Sequence, residues 1–177
     1  MPRYVALLRG INVGGKNKLP MKDLVTMFEQ AGCSDVATYI QSGNVFFDAA
    51  ASLAKSMPAV IHDAIAERFG YDVPVVTRTG AQVTRVLESN PFDCVPENEV
   101  HVFFLSKKPA AAKVAALDLE RSPPDELRVI GQELYLHCRT GMAKTKISNV
   151  WLDRQLGVVS TARNWRTTQK LAELAAS

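Results

Sequence analysis

The sequence predicts an α+β fold made of two consecutive β-α-β-β-α-β units, with a further helix at the C-terminus. Three observations carry this expectation. Short apolar, β-branched runs alternate with amphipathic stretches of helical period along all 177 residues. The order strand, helix, strand, strand, helix, strand is completed once, then begins again and is completed a second time. Between the two series lies Asn90 to Asn98 (Asn-Pro-Phe-Asp-Cys-Val-Pro-Glu-Asn), a segment rich in turn residues. Split βαββαβ units form ferredoxin-like domains, each a four-stranded sheet with two helices on one face. The expected division is residues 1–90 for the first ferredoxin-like unit, which carries a glycine-rich loop, and 91–177 for the second unit and the added helix.

In the first unit, Arg3 to Leu8 reads as a buried strand. A loop with Gly10, Gly14 and Gly15 follows. Pro20 suits a first helical turn, where its missing N–H costs nothing. Met21, Leu24, Val25 and Phe28 recur at helical spacing, so 20–31 is expected to be an amphipathic helix that Gly32 stops. Val36 to Ile40 and Val45 to Phe47 are β-branched and aromatic. They flank Gln41-Ser42-Gly43-Asn44, a tight turn in which glycine supplies a positive φ. Leu53, Met57, Val60, Ile61, Ala64, Ile65 and Phe69 mark a second helix ended by Gly70, either kinked at Pro58 or beginning near Ser56. Val73 to Thr77 is the fourth strand, and a helix carrying Val83, Val86 and Leu87 follows.

In the second unit, Val100 to Leu105 is a strand and Ala110 to Leu119 an alanine-rich helix. Leu127 to Ile130 and Leu134 to His137 form a hairpin around Gly131-Gln132. Ile147, Val150, Trp151, Leu152 and Leu156 mark a helix ended by Gly157. Val158 to Ala162 is a short strand. The last helix starts near Asn164, an N-cap residue type, and carries Trp165, Leu171 and Leu174. Only the order of elements recurs between the halves; no residue-level repeat is visible.

Charge is unevenly placed. The net charge is +3, yet residues 1–22 carry +5 and residues 139–170 carry +6, leaving −8 for the rest. Such asymmetry points to anionic partners, although a net charge of +3 is low for a dedicated nucleic-acid binder. No apolar run is long enough to span a bilayer, and the N-terminus lacks a basic start followed by an apolar signal core, so the expected location is cytoplasmic. Cys33, Cys94 and Cys138 are odd in number and widely spaced, without a CxxC, which argues against disulfides and a zinc site. His62, His101 and His137 have no neighbour at metal-ligand spacing, so no metal and no cofactor is expected.

The candidate site begins at Gly10-x-x-x-x-Gly15-Lys16-Asn17, which nearly spells the phosphate-binding pattern GxxxxGK[ST]. Asn17 stands where a magnesium-binding hydroxyl belongs, and the helix starts four residues after Lys16, both of which count against a nucleotide triphosphatase. What survives is a preference for anions. The backbone of Gly14 and Gly15, with Arg9, Asn12 and Lys16, can offer donors and charge. Gln41, Ser42 and Asn44 in the tight turn add polar groups. Geometry of a βαββαβ unit puts that turn beside the glycine loop, because the first and third strands are antiparallel neighbours. From the second basic segment, Lys146 adds charge, Arg163 a bidentate fork, Asn164 a helix N-terminus and Trp165 a flat ring face. No carboxylate pair and no GxSxG suggests acid–base or nucleophilic catalysis. Gly43-Asn44-Val45-Phe46-Phe47 has aromatics but not the base-stacking pattern of RNA readers.

Three blocks carry a resemblance. They are Leu7-Leu8-Arg9-Gly10-Ile11-Asn12-Val13-Gly14-Gly15 with Lys16-Asn17-Lys18, then Thr38-Tyr39-Ile40-Gln41-Ser42-Gly43-Asn44-Val45, and finally Thr161-Ala162-Arg163-Asn164-Trp165 with Thr167, Lys170 and Leu171. In type and spacing they resemble the bacterial domain-of-unknown-function family 1697, over essentially the whole chain. A mild departure is Thr145-Lys146, where the family pattern has Ser-Lys. The resemblance implies a cytosolic protein of two ferredoxin-like halves and implies no activity. The expected function is therefore binding, with or without turnover, of a small phosphorylated or carboxylated molecule where the glycine-rich loop and the Arg-Asn-Trp segment converge. A nucleic-acid-binding module and a protein–protein or structural role are the alternatives.

Overall fold

A computed structural model describes residues 1–176; Ser177, the last residue of the expected second unit, lies outside that range. The chain divides into two compact units. One is Met1–Val83 together with the segment from Leu171 onward, and the other is Thr84–Lys170. The division falls at residue 83 instead of 90 and recurs near the C-terminus. The reason is that the helix after the fourth strand follows it without a loop, so the chain crosses the division inside a helix and not in the Asn90–Asn98 segment.

The first unit contains β1 (Arg3–Leu8), α1 (Met21–Gln30), β2 (Ser34–Tyr39), β3 (Asn44–Asp48), α2 (Ala51–Phe69), β4 (Val75–Thr79) and the start of α3 (Gly80–Glu88). Its sheet has the order β2-β3-β1-β4, antiparallel throughout. Strand alternation turns Ala6 and Leu8 of β1 and Val45 and Phe47 of β3 toward Leu24 and Phe28 of α1 and Met57, Ile61 and Ile65 of α2, and together they form the core. The second unit contains β5 (Val100–Leu105), α4 (Ala111–Ala115), β6 (Glu126–Ile130), β7 (Glu133–His137), α5 (Asn149–Leu156), β8 (Ser160–Asn164) and most of α6 (Trp165–Ala175). Its sheet repeats the pattern as β6-β7-β5-β8, again antiparallel. Its core gathers Phe103, Leu105, Leu134 and Leu136 under Leu152 and Leu156.

Several elements differ from expectation. Of the two expectations for α2, a start near Ser56 does not hold: the helix begins at Ala51 and keeps Pro58 in its interior. Ala54 and Met57 share its buried face with Ile61 and Ile65. Burial of roughly 1.5–3 kcal/mol per large side chain offsets the ~3 kcal/mol that an interior proline costs. Helix α4 stops at Ala115, well short of Leu119, because little beyond Val114 and Leu117 can be buried there and short isolated helices are marginal. Strands β4 and β8 each lie two residues further along than read from sequence, and β8 thereby takes in Arg163. Among the described residues no helix is long and apolar enough to cross a membrane.

Two histidines report on this packing. His62 on α2 meets Asp72, which precedes β4, at 2.7 Å, and Asp63 at 3.1 Å. Hydrogen bonds to Asp72 and then Asp63 raise its pKa, whereas burial in β5 lowers that of His101. A pKa raised by folding means that the His62 pairing stabilises fully below the unfolded value of about 6.5 and loses its effect as pH rises through the folded value. An NMR titration of the imidazole protons will place His62 above that ordinary value and His101 below it. The reverse order would contradict the packing described.

Candidate functional site

Strand β1 is buried to its end at Leu8, and the chain then turns out at Gly10 with φ 76°. Asn12 and Asn17 both adopt left-handed φ values, 54° and 49°, and the Asn12 N–H donates to the Asn17 carbonyl at 3.1 Å. Val13 and Lys16 form a β-bridge closed by Gly14-Gly15, whose φ values are 58° and 74°. Two successive positive φ angles make the tight hairpin turn that matches strand twist. The glycine stretch is thus a small β-hairpin. The Lys16 N–H is used within it, donating to the Val13 carbonyl at 3.0 Å.

One side chain ties this hairpin down. Asn12 Nδ2 donates to the Leu19 and Gln41 carbonyls, both at 2.9 Å, and Asn12 Oδ1 accepts from the Leu19 N–H at 2.8 Å. Asn17 Nδ2 donates to the Gly10 carbonyl at 3.0 Å. Ile11 and Leu19 are buried beneath. The β2–β3 turn meets the same point, since the Leu8 N–H donates to the Gly43 carbonyl at 2.9 Å. A Cβ on Gly43 would lie 2.8 Å from Leu8 Cβ and 2.9 Å from Ile11 Cδ1.

The candidate residues of the first unit therefore sort by what they do. Gly14, Gly15, Lys16 and Lys18 are exposed on the hairpin, with Gln41 exposed on the neighbouring turn. Arg9 is half-buried beside them, its N–H on the Pro74 carbonyl at 3.0 Å. Asn12 is turned inward as the clamp. Asn44 is fully buried and donates to the Tyr39 carbonyl and to Ser42 Oγ, both at 3.1 Å, so Asn44 and Ser42 build the turn.

In the second unit, Arg163 is 8% exposed within β8 and donates to Thr161 Oγ1 at 2.9 Å and the Ala162 carbonyl at 2.8 Å. Burial lowers its pKa to about 10, which leaves it charged near neutrality. Asn164 Oδ1 accepts from the Thr167 N–H at 2.7 Å and caps α6, and Trp165 is buried in the first turn of that helix. Lys146 is exposed on the loop between β7 and α5, with its N–H on Ser122 Oγ at 3.0 Å.

Sequence reasoning missed the residue that holds this loop. Asp125 is 5% exposed and accepts from the Arg139 N–H at 2.7 Å, the Thr140 N–H at 3.0 Å and Thr140 Oγ1 at 2.6 Å. Burial pushes its carboxyl up, but the bonds from Thr140, Thr145 and Arg139 more than offset this and hold it below its ordinary value. The available signal was Ser122-Pro-Pro-Asp125, a turn in which a short polar residue brackets two prolines. The cysteines give no sign of nucleophilic use: burial raises the thiol pKa of Cys33 and Cys138.

These features define an α+β protein with two four-stranded antiparallel sheets and a clamped, basic glycine hairpin at one sheet end. The chain belongs to the family described as "Protein of unknown function (DUF1697)", whose family model matches residues 1–135. Among solved structures it is similar to one described as the conserved bacterial protein SP0830 from Streptococcus pneumoniae, at 23% identity and a TM-score of 0.75, over 100% of this chain and 99% of that one. That likeness is one of fold. A search of curated proteins found none that matches.

Gly43→Ala will separate the two kinds of glycine. The new Cβ would collide with Leu8 and Ile11 at a left-handed φ of 83°, and the cost expected is about 2–4 kcal/mol. Gly14→Ala, with open space around it, will cost about 1 kcal/mol. Denaturant unfolding measures both, and equal costs would contradict the close approach of turn and hairpin.

Proposed function

We propose that this protein binds a small phosphorylated or carboxylated molecule on the hairpin end of its first unit, and that its scaffold is a tandem of two ferredoxin-like units. The scaffold reading is supported by the βαββαβ element order and the strand orders β2-β3-β1-β4 and β6-β7-β5-β8. The binding reading is carried by one observation. Arg9, Lys16 and Lys18 are gathered by the Asn12 clamp next to Gln41, on two segments, 7–20 and 39–45, that contain no Asp or Glu.

Each group has a distinct use there. An arginine guanidinium is a planar fork that suits two oxygens of one anion, while lysines act as mobile point charges. Gln41 can donate or accept at a ligand hydroxyl or amide. A fixed hairpin lowers the ordering cost of binding. No base or nucleophile stands among these residues, so the reading is binding without turnover. Arg163 and Trp165 are buried in their own unit, and the reading does not depend on them.

A thermal-shift screen of inorganic phosphate, nucleotides, sugar phosphates and organic acids tests it. A ligand at about 100 times its dissociation constant adds roughly 2.7 kcal/mol, a rise of several degrees in melting temperature. The double variant Lys16→Ala/Lys18→Ala and the single Arg9→Ala will lose that shift. The double variant will melt like wild type without ligand, since both lysines are exposed. No shift with any anion, or an undiminished shift in the variants, would refute the reading. So would a preference for single-stranded oligonucleotides that falls steeply with salt, which would mark a nucleic-acid site instead.

A further inference from the structure

Each sheet ends in an edge strand at the same position of its strand order, β2 in the first unit and β6 in the second. An edge strand presents unpaired N–H and C=O groups, and proteins usually blunt it. Strand β2 is blunted. Its register breaks between Ser34 and Ala37, Asp35 sits at φ 47° with its carboxylate 2.9 Å from Arg3, and the ten-residue helix α1 packs along it. Strand β6 has none of these devices. It pairs with β7 in continuous register from Glu126 to Ile130 and contains no proline. The helix that corresponds to α1 is the five-residue α4, and beside β6 lies an open groove of about 760 Å³ walled by Val114, Leu117 and Leu119. Leu119 is 56% exposed and Ile130 39%.

We propose that β6 is an interface for a second copy of this chain, which adds its own β6 in antiparallel register about a two-fold axis at Leu127. The strand's charge pattern selects this occupant. In antiparallel pairing, directly opposed residues share a face. Keeping the helix-bearing faces of the two sheets on one side therefore requires the axis to pass through a residue and not between two. With the axis at Leu127, Glu126 of each copy stands opposite Arg128 of the other, so two opposite-charge pairs form. With the axis at Arg128 the arginines oppose each other, and with it at Glu126 the glutamates do; like charges directly opposed are destabilising. The chosen register also sets each Ile130 beside Pro124 of the other copy, at the groove that Pro124 lines. The result is an isologous dimer with one continuous eight-stranded sheet and no exposed edge at β6. Existing partners do not compete strongly. Glu126 lies 3.8 Å from Arg139 in an exposed pair, and Arg128 lies 6.0 Å from the Phe92 ring centre.

Sedimentation velocity on the full chain over a wide concentration range tests this. Wild type will show a reversible monomer–dimer equilibrium. Glu126→Arg and Arg128→Glu each oppose like charges twice, and each will weaken association on the order of tenfold. The double variant E126R/R128E restores opposite charges in the same register and will restore association. Melting temperatures of all three variants will stay near that of wild type, because both side chains are exposed. Wild type that stays monomeric throughout, single reversals that leave a dimer unchanged, or a double variant no better than the singles would each overturn the proposal.

Discussion

The hydrogen bonds of the Asn12 amide are the constraint on which the basic end of the first unit depends. Twelve residues between β1 and α1, three of them glycine, would otherwise sample many conformations. Three bonds from one side chain, each worth about 1 kcal/mol, join the hairpin base to Leu19 and to the neighbouring turn at Gln41. Asparagine suits the position twice over. Its amide donates and accepts at once, and it tolerates the left-handed φ of 54° that aims it inward. With Ile11 and Leu19 buried on either side, the clamp turns a chain with the composition of a flexible linker into a fixed platform for Arg9, Lys16 and Lys18.

The second unit repeats the scaffold and changes the connections. Between β3 and α2 the first unit has two residues, Ala49 and Ala50; between β7 and α5 the second has a basic loop held by Asp125. The strongest sign of kinship lies in the last strand of each sheet. Arg78 in β4 and Arg163 in β8 occupy the fourth position, both are buried, and each donates from NH1 to the preceding carbonyl, at 2.9 and 2.8 Å. Each strand then passes directly into a capped helix. Thr79 and Gln82 cap α3 reciprocally, and Asn164 caps α6. What differs between the two units is the clamped hairpin in one and the continuous edge strand β6 in the other.

Much of this was legible in the sequence, and the losses have physical causes. Apolar runs marked β1 and β5, while Gly70 and Gly157 marked helix ends because both take left-handed φ values there. The neighbourhood of loop and turn followed from strand order alone. Direction of side chains did not. Arg163 reads as an exposed fork if the strand ends at Ala162, and as a buried residue once the strand reaches Asn164. Asn44 and Asn12 have the composition of ligand-binding residues, and both are turned toward the backbone. Asp125 escaped notice because nothing in a lone acid after two prolines reveals how many N–H groups will surround it. The edge of β6 was hidden for a similar reason: whether a helix covers a strand depends on where that helix stops, and alanine-rich composition alone could not stop α4 at Ala115.

Backbone ¹⁵N relaxation on wild type and Asn12→Ala tests the central claim most directly. If one amide fixes the basic hairpin, wild-type order parameters across Asn12 to Lys18 will be close to those of rigid backbone, about 0.85. In the variant they will fall below about 0.6 over those residues while β1 and β3 keep theirs. A hairpin already mobile in wild type, or equally rigid without the Asn12 side chain, would contradict the account.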